Sequence, residues 1–465
     1  MNYQQAYDFI ISLNNIPRQE YLKNKKKSGI YLKRTQLLLD ILGNPEKRIP
    51  HYIHVTGTSG KGSVCLLLGS ILRASGKKVG LITSPHPSTI TERWEINGRP
   101  IPKNNFVKLV EQIRPALQKY LEISPYDFPS FFEIITTLGL LYFAQNKIEW
   151  AVVEVGLGGR NDSTNIIPKK DLAIITNIGL DHLDLIGPTK KEVAYEKAGI
   201  IKKRCQVLTA EEDKKILEII KKEAIKNQAQ IKCLKIFSLS SAAKASGMKP
   251  RLHNPLKNIQ TLNLYYQINK ENLGSTNFAY HDDNYLLPII GRHQIKNAIL
   301  AIEAASVLGI EKKDIKKGLA QTKFPICMEI VSNNPLIILD GAHNTDKMKT
   351  TVETTKWLMQ QKPNYQWHLI IGFSGDKDID TMLKQLAALN PASIICTRST
   401  SNPFRKVADP KILAIKIKKL LPKTKIKIFL EPQEALLSLK NKTGNNATLV
   451  TGSIFLSGEL TKNFH

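Results

Sequence analysis

Gly57-Thr58-Ser59-Gly60-Lys61-Gly62-Ser63 is the stretch whose reading decides the fold. It lies between an apolar, β-rich run, Tyr52 to Val55, and a segment, Ser63 to Ala74, with a helical apolar period. In that segment Val64, Leu67, Leu68, Ile71 and Leu72 recur at i, i+3, i+4, i+7 and i+8, which places them on one helix face. A glycine-rich turn between strand and helix is the setting of a phosphate-binding loop. Glycines let backbone N–H groups approach phosphate oxygens, the helix N-terminus adds a favourable dipole, Lys61 reaches the outer phosphates and Ser63 can ligate Mg²⁺. The spacing departs from GxxxxGK[ST], because Gly62 separates Lys61 from Ser63. A turn that merely joined strand to helix would leave that lysine and serine without a reason.

Working outward, further buried-strand candidates end in polar residues. Val79 to Thr83 runs into Ser84-Pro85-His86, Ala151 to Val155 contains Glu154, and Leu172 to Asn177 leads to Asp181-His182. One glutamate closing an apolar strand is more often a paired surface carboxylate, and one histidine is more often a satisfied loop residue. In an open α/β sheet, however, ligands bind beyond the carboxyl ends of the strands. Several such ends carrying phosphate- or Mg²⁺-compatible groups favour a nucleotide-metal site. Downstream, Thr189-Lys190-Lys191-Glu192 reads as a capping box opening a short helix. The last turn of that helix holds Glu196-Lys197-Ala198-Gly199; by residue chemistry alone, Lys197 is a solvated lysine favoured by the helix C-terminus.

A second series of strands alternates with helical segments: Leu336 to Leu339, His368 to Ile371, Ser393 to Cys396, Ile426 to Leu430 and Ala447 to Thr451. The fold class expected is α/β, an N-terminal P-loop ATPase-type domain with a mostly parallel sheet plus a C-terminal Rossmann-like domain. Between the series, about 228–290 is irregular and reads as a mixed insertion or small sheet, followed by a helix from about His293 to Leu308. The boundary is placed near Phe324-Pro325, giving domains 1–325 and 326–465.

Composition agrees with this. The chain has 465 residues, 42% apolar and 23% charged, which excludes a disordered or fibrous protein and asks for at least two cores. Its 67 basic and 40 acidic residues give 67 − 40 = +27. The lysines fall in scattered clusters with no nucleic-acid-binding motif, so a solvated basic surface is the expectation, with no nucleic-acid partner. Five dispersed cysteines without a CxxC pair read as reduced thiols of a cytoplasmic protein. The N-terminus lacks the order of a signal peptide, and no segment reads as spanning a membrane.

Taken in order, the phosphate loop, Ser84-Pro85-His86, Glu154-Val155-Gly156-Leu157-Gly158-Gly159-Arg160, Asp181-His182, Glu196-Lys197-Ala198-Gly199-Ile200, His293-Gln294 with Asn297, and Asp340-Gly341-Ala342-His343-Asn344 form a recognisable set. The sequence resembles the folylpolyglutamate synthase and dihydrofolate synthase family, within the Mur ligase superfamily of ATP-dependent amide ligases. The resemblance runs from about Tyr31 to Glu459. It implies that the loop from Gly57 to Ser63 binds ATP phosphates through Lys61, and that Asn297 and Asp340 contact the nucleotide. It further implies two Mg²⁺ sites held by Ser63, Ser84, Glu154, His182 and a carbamylated Lys197. His343 is expected among the catalytic residues, delivered with Asp340 by the second domain. The pterin side is expected to involve Ser130, Phe132, Asn161, Asp162 and Ser163.

The activity implied is ATP-dependent joining of L-glutamate to a dihydropteroate or reduced-folate carboxylate through an acyl phosphate, by a monomer. Three positions depart from the family pattern: Asn161-Asp162-Ser163 replaces Leu-Asp-Ala, Cys327 stands where an arginine is usual, and Thr345 replaces a proline. Alternatives are a peptidoglycan-precursor Mur ligase, or a degenerate member that binds nucleotide or RNA without ligating.

Overall fold

The computed structural model describes residues 1–18, 28–180, 183–239, 252–256, 258–401, 406–440 and 444–464. Two sheets organise them. In the first, parallel strands Val79–Ile82, Trp150–Glu154, His51–Thr56, Leu172–Ile175, Gln206–Thr209, Gln230–Ser238 and Ile259–Asn272 lie side by side in that spatial order. Antiparallel strands extend both edges: Trp94–Ile96 and Arg99–Pro100 at one, Ser275–Tyr280 and Asp283–Leu287 at the other. The strand carrying the phosphate loop is therefore central, and the chain departs to opposite sides of it, the arrangement that opens a ligand crevice at the strand tips.

Each face of this sheet is covered by helices whose apolar spacing matches what they bury. Lys61–Ala74 presents Val64, Leu67, Leu68 and Ile71 to a core shared with Ile299 and Ile302 of the helix Arg292–Val307. On the other face Lys103–Ile123 and Phe131–Gln145 contribute Phe106, Ile113, Ile134 and Leu138. All ten are essentially inaccessible to solvent, so the phosphate loop stands on a rigid platform.

The irregular region expected at about 228–290 is resolved differently. Its described part is no separate small sheet: Ile259–Asn272 pairs in parallel with Gln230–Ser238 and continues the first sheet, with Leu252–Leu256 against it. Polar residues disguise these strands because one side is half-exposed; Ile259–Asn272 buries Leu264 and Tyr266 and leaves Lys270 in solvent.

The second sheet has the order Glu329–Asn333, Leu336–Leu339, Asn446–Thr451, Gln366–Ile371, Ser393–Cys396, Lys425–Ile428, antiparallel at the first pair and parallel thereafter. Among the described residues no helix is long and apolar enough to cross a membrane.

Candidate active site

The phosphate loop leaves His51–Thr56 and enters the helix at Gly60, whose φ of +82° is left-handed. A side chain there would also strike Asn297, because an added Cβ would lie 2.5 Å from Asn297 Oδ1. Gly57, at φ +149°, is equally constrained, since its Cβ would fall 1.8 Å from Thr176 Oγ1. The neighbouring strand end fixes the loop. Thr58 N–H donates to the Asn177 carbonyl and Ser59 N–H to Asn177 Oδ1, both at 2.9 Å, while Thr176 Oγ1 donates to the Ser59 carbonyl at 2.6 Å. Ser59 Oγ is buried with no hydrogen-bond partner among the described residues. A buried orphan hydroxyl inside a glycine-rich loop is a group that a bound phosphate oxygen would satisfy.

Two lysines meet here. Lys61 Nζ donates to the Gly57 carbonyl at 2.9 Å, and Lys197 Nζ donates to the same oxygen at 2.8 Å. Two ammonium groups sharing one carbonyl repel each other, and an anion beside them relieves that repulsion. The capping box expected at Thr189 is present and starts the helix Lys190–Ala198, which delivers Lys197 in its last turn. Contrary to the bland reading of its chemistry, Lys197 is buried, at 4% exposure. A cavity of about 20 Å³ is lined by Lys61, Lys197, Gly156 and Gly158 among others.

Glu154 closes the strand beside the loop and is buried at 5% exposure. Ser84 N–H donates to its Oε2 at 3.0 Å, and a Cβ on Gly62 would lie 3.7 Å from either oxygen. Burial pushes its carboxyl above the ordinary value, opposed by Lys61, the Ser84 N–H, Lys347 and Arg93. A divalent cation suits this place: a buried carboxylate beside the Ser84 backbone and the first turn of the phosphate-loop helix is a hard-oxygen donor. Among the described residues no three His, Cys, Asp or Glu side chains cluster at metal spacing, so phosphate oxygens and water would complete the coordination. His182 lies outside the described residues. An unmodified Lys197 ammonium has no lone pair to offer a metal.

Residues expected on the pterin side surround the Gly156–Arg160 turn. The Phe132 ring packs on Gly156 so closely that a Cβ there would come within 2.2 Å of it. Asp162 accepts from Leu157 N–H at 2.8 Å and from Thr164 N–H at 2.9 Å, and Ser163 Oγ pairs with Thr136 Oγ1 at 2.9 Å. Asn161 Nδ2 reaches Glu196 Oε2 at 3.5 Å. Ser130 caps the helix Phe131–Gln145 in a reciprocal box with Glu133. Phe132 is thus brought against that turn, whereas Ser130, Asp162 and Ser163 spend polar atoms on local structure.

From the second sheet, Asp340 follows Leu336–Leu339 and accepts from Met328 N–H, Ala342 N–H, Thr351 Oγ1 and Thr451 Oγ1, all in its own part of the chain. His343 Nδ1 pairs with the Gly341 carbonyl at 2.8 Å. The helix that follows, Thr345–Gln361, meets the first sheet's loops: a Cβ on Gly179 would lie 2.9 Å from Asp346 Oδ2. At the departure from pattern, Cys327 accepts from Gln294 Nε2 at 3.1 Å, and burial pushes its thiol up to about 12. Sequence reasoning missed Asn177, Arg93 and Lys347. Asn177, two residues past a strand that ends near the loop, carried the one usable signal.

Residues 55–305 match the Mur ligase middle domain, and residues 328–454 match the Mur ligase glutamate ligase domain. A dihydrofolate synthase/folylpolyglutamate synthase of Bacillus subtilis is 32% identical over 96% of this chain and 97% of its own. The chain belongs to the folylpolyglutamate and dihydrofolate synthase family of Mur ligases. A Lacticaseibacillus casei folylpolyglutamate synthase is 31% identical over 98% of this chain and 97% of its own. The crystal structure of a Thermotoga maritima folylpolyglutamate synthase superimposes with a TM-score of 0.79 at 28% identity, covering 99% of this chain and 97% of that one. An Escherichia coli protein solved in complex with DHPP and ADP gives a TM-score of 0.74 at 25% identity, over 98% and 97% of the two chains. These relatives favour the folate branch of ATP-dependent ligases over the peptidoglycan-precursor and non-ligating alternatives.

Proposed function

We propose that this family member joins the amine of L-glutamate to the carboxylate of dihydropteroate or a reduced folate, forming an amide with ADP and phosphate as the other products. The observation that carries the reading is the convergence of Lys61 and Lys197 on the Gly57 carbonyl at 2.9 and 2.8 Å, next to the buried Glu154.

The loop Gly57, Thr58, Ser59, Gly60, Lys61, Gly62 and Ser63 binds the triphosphate, with Lys61 on the outer phosphates. Asn297, already against Gly60, borders the nucleotide, and Asp340 approaches it from the other lobe. An acceptor carboxylate oxygen attacks the γ-phosphorus, ADP leaves, and the acyl phosphate is then attacked by the glutamate amine. The tetrahedral intermediate collapses with loss of phosphate. Phosphoryl transfer of this kind demands positioning and charge neutralisation more than covalent help. Lys61 neutralises charge, and His343 would take the proton that the incoming amine loses. Phe132 and the turn at Asn161, Asp162 and Ser163, with Ser130 behind it, shape the pterin side.

Ser63, Ser84, Glu154 and His182 would hold Mg²⁺, with a second site involving a carbamylated Lys197; carbamylation would turn that ammonium into a carboxylate-like oxygen ligand. The metal supplies charge neutralisation on phosphate oxygens when bound. Two lobes, 1–325 and 326–465, form the walls of a cleft that keeps water from the acyl phosphate. A monomer in the cytoplasm, with small-molecule rather than nucleic-acid partners, fits this chemistry.

The deciding experiment is a coupled ADP-release assay with L-glutamate, run in parallel on dihydropteroate and tetrahydrofolate. Glutamate-dependent release with either is the expected result. ADP release that ignores both acceptors, or salt-sensitive RNA binding without release, would overturn the proposal.

A further inference from the structure

Among the described residues two arginines are buried in the first lobe, and they are treated differently. Arg34, fully inaccessible, donates Nε and Nη2 to Glu133 at 2.9 and 2.7 Å and Nη1 to Asp127 at 2.8 Å. Arg93, 8% exposed, has no carboxylate within ion-pair distance among the described residues; its Nε donates to His86 Nδ1 at 2.9 Å. Because His86 Nδ1 accepts this bond it carries no proton, so the partner is a neutral imidazole. The charge most able to offset Arg93 is that of Glu154, which the proposed reading commits to the metal. Burying a guanidinium against a neutral imidazole is costly unless an anion joins it.

Its position says which anion. Thr83 N–H donates to the Arg93 carbonyl at 3.2 Å, so Arg93 sits directly across from the strand end that carries Ser84. On its other side the guanidinium carbon lies 5.8 Å from the centre of the Phe131 ring, in the segment that also presents Phe132 to Gly156. Arg93 thus feels the charge of the phosphate-side carboxylate Glu154 and has the Phe131 ring beside it. An acceptor lying with its ring on the aromatic side and its carboxylate toward the γ-phosphate must pass its carboxylate by this point.

We propose that Arg93 binds the acceptor's carboxylate, the group that becomes the acyl phosphate. This rests on the ligase reading above. The guanidinium fork matches a carboxylate's two oxygens, and its charge offsets repulsion between that carboxylate and the triphosphate. Arg93 is therefore a specificity-determining residue that discriminates an acid from its neutral amide.

The test compares binding of dihydropteroate and of its carboxamide, in the presence of Mg²⁺ and a non-hydrolysable ATP analogue, to wild type, Arg93→Gln and Arg93→Lys. Wild type should prefer the acid, and Arg93→Gln, which can still donate to His86, should reduce that preference by about ten- to a hundredfold. The KM for ATP should hardly move. If Arg93→Gln does not fold, Arg93→Lys is read instead; keeping the charge but losing the fork, it should lower the preference by about threefold to tenfold. A preference unchanged in a folded variant, with both ligands weakened alike, would make Arg93 a structural support for His86 and overturn the proposal. Wild-type glutamate-dependent ADP release separates the two readings: if it is absent the ligase assignment falls, and if it is present with an unchanged preference only the role of Arg93 falls.

Discussion

Gly60 carries two constraints at once, a left-handed φ of +82° and the approach of Asn297 to where a Cβ would be. Gly60→Ala should therefore lower the melting temperature and raise the KM for ATP together; the backbone strain alone is on the order of 1–3 kcal/mol. Lys61→Ala should leave the circular dichroism spectrum intact while kcat/KM falls by at least about a hundredfold, the scale of losing one preorganised charge. An unchanged rate would remove Lys61 from the phosphate site. Cys327 makes a chemical expectation. With its thiol pushed up to about 12, it should hold about a thousandfold less thiolate at pH 8 than a free cysteine. The other four cysteines are buried. A native-state thiol titration should thus show labelling far slower than that of the protein in denaturant, and one rapidly labelled thiol would contradict the packing around Gln294. Lys61 and Glu154 were legible because each ends or follows an apolar strand in a short motif. Arg93 and Lys347 were not, since each reaches the site only through pairing or lobe contact that no local pattern records.

At the scale of elements, caps decide where the functional helices begin. The helix Phe131–Gln145 is apolar all round and buried over nearly its whole length, so its register is fixed by the Ser130–Glu133 box and the Arg34 ion pair rather than by amphipathicity. Ser130→Ala should cost about 1 kcal/mol in a urea titration. Arg34→Ala should cost about 3–5 kcal/mol, because it strands Glu133 in an apolar interior. A smaller loss for Arg34→Ala than for Ser130→Ala would invert this ordering and refute it. The box at Thr189 was readable because it precedes a polar helix bounded by Gly199. The strand Ile259–Asn272 was not, because its half-exposed alternation carries Asn, Gln and Lys where an interior strand would carry valine. Its partner in the parallel ladder lies across a long intervening segment.

The whole molecule sets the cleft. The two sheets are joined by contacts at the crevice: His86 lies edge-on to Phe455 at 6.4 Å, Gly458 has no room for a side chain beside the Pro87 carbonyl, and Asp346 approaches Gly179. Such contacts at the site itself suit a lobe closure that excludes water around a reactive phosphate. The charge of +27 adds a long-range attraction for polyanionic substrates, screened at moderate salt. The most direct measurement follows the oxygen of the acceptor. With ¹⁸O in the dihydropteroate carboxylate, turnover with ATP and L-glutamate should release inorganic phosphate carrying one ¹⁸O, because that oxygen attacks the γ-phosphorus and leaves with it. Phosphate released without label during amide formation would contradict the acyl phosphate and the placement of the triphosphate on which it depends.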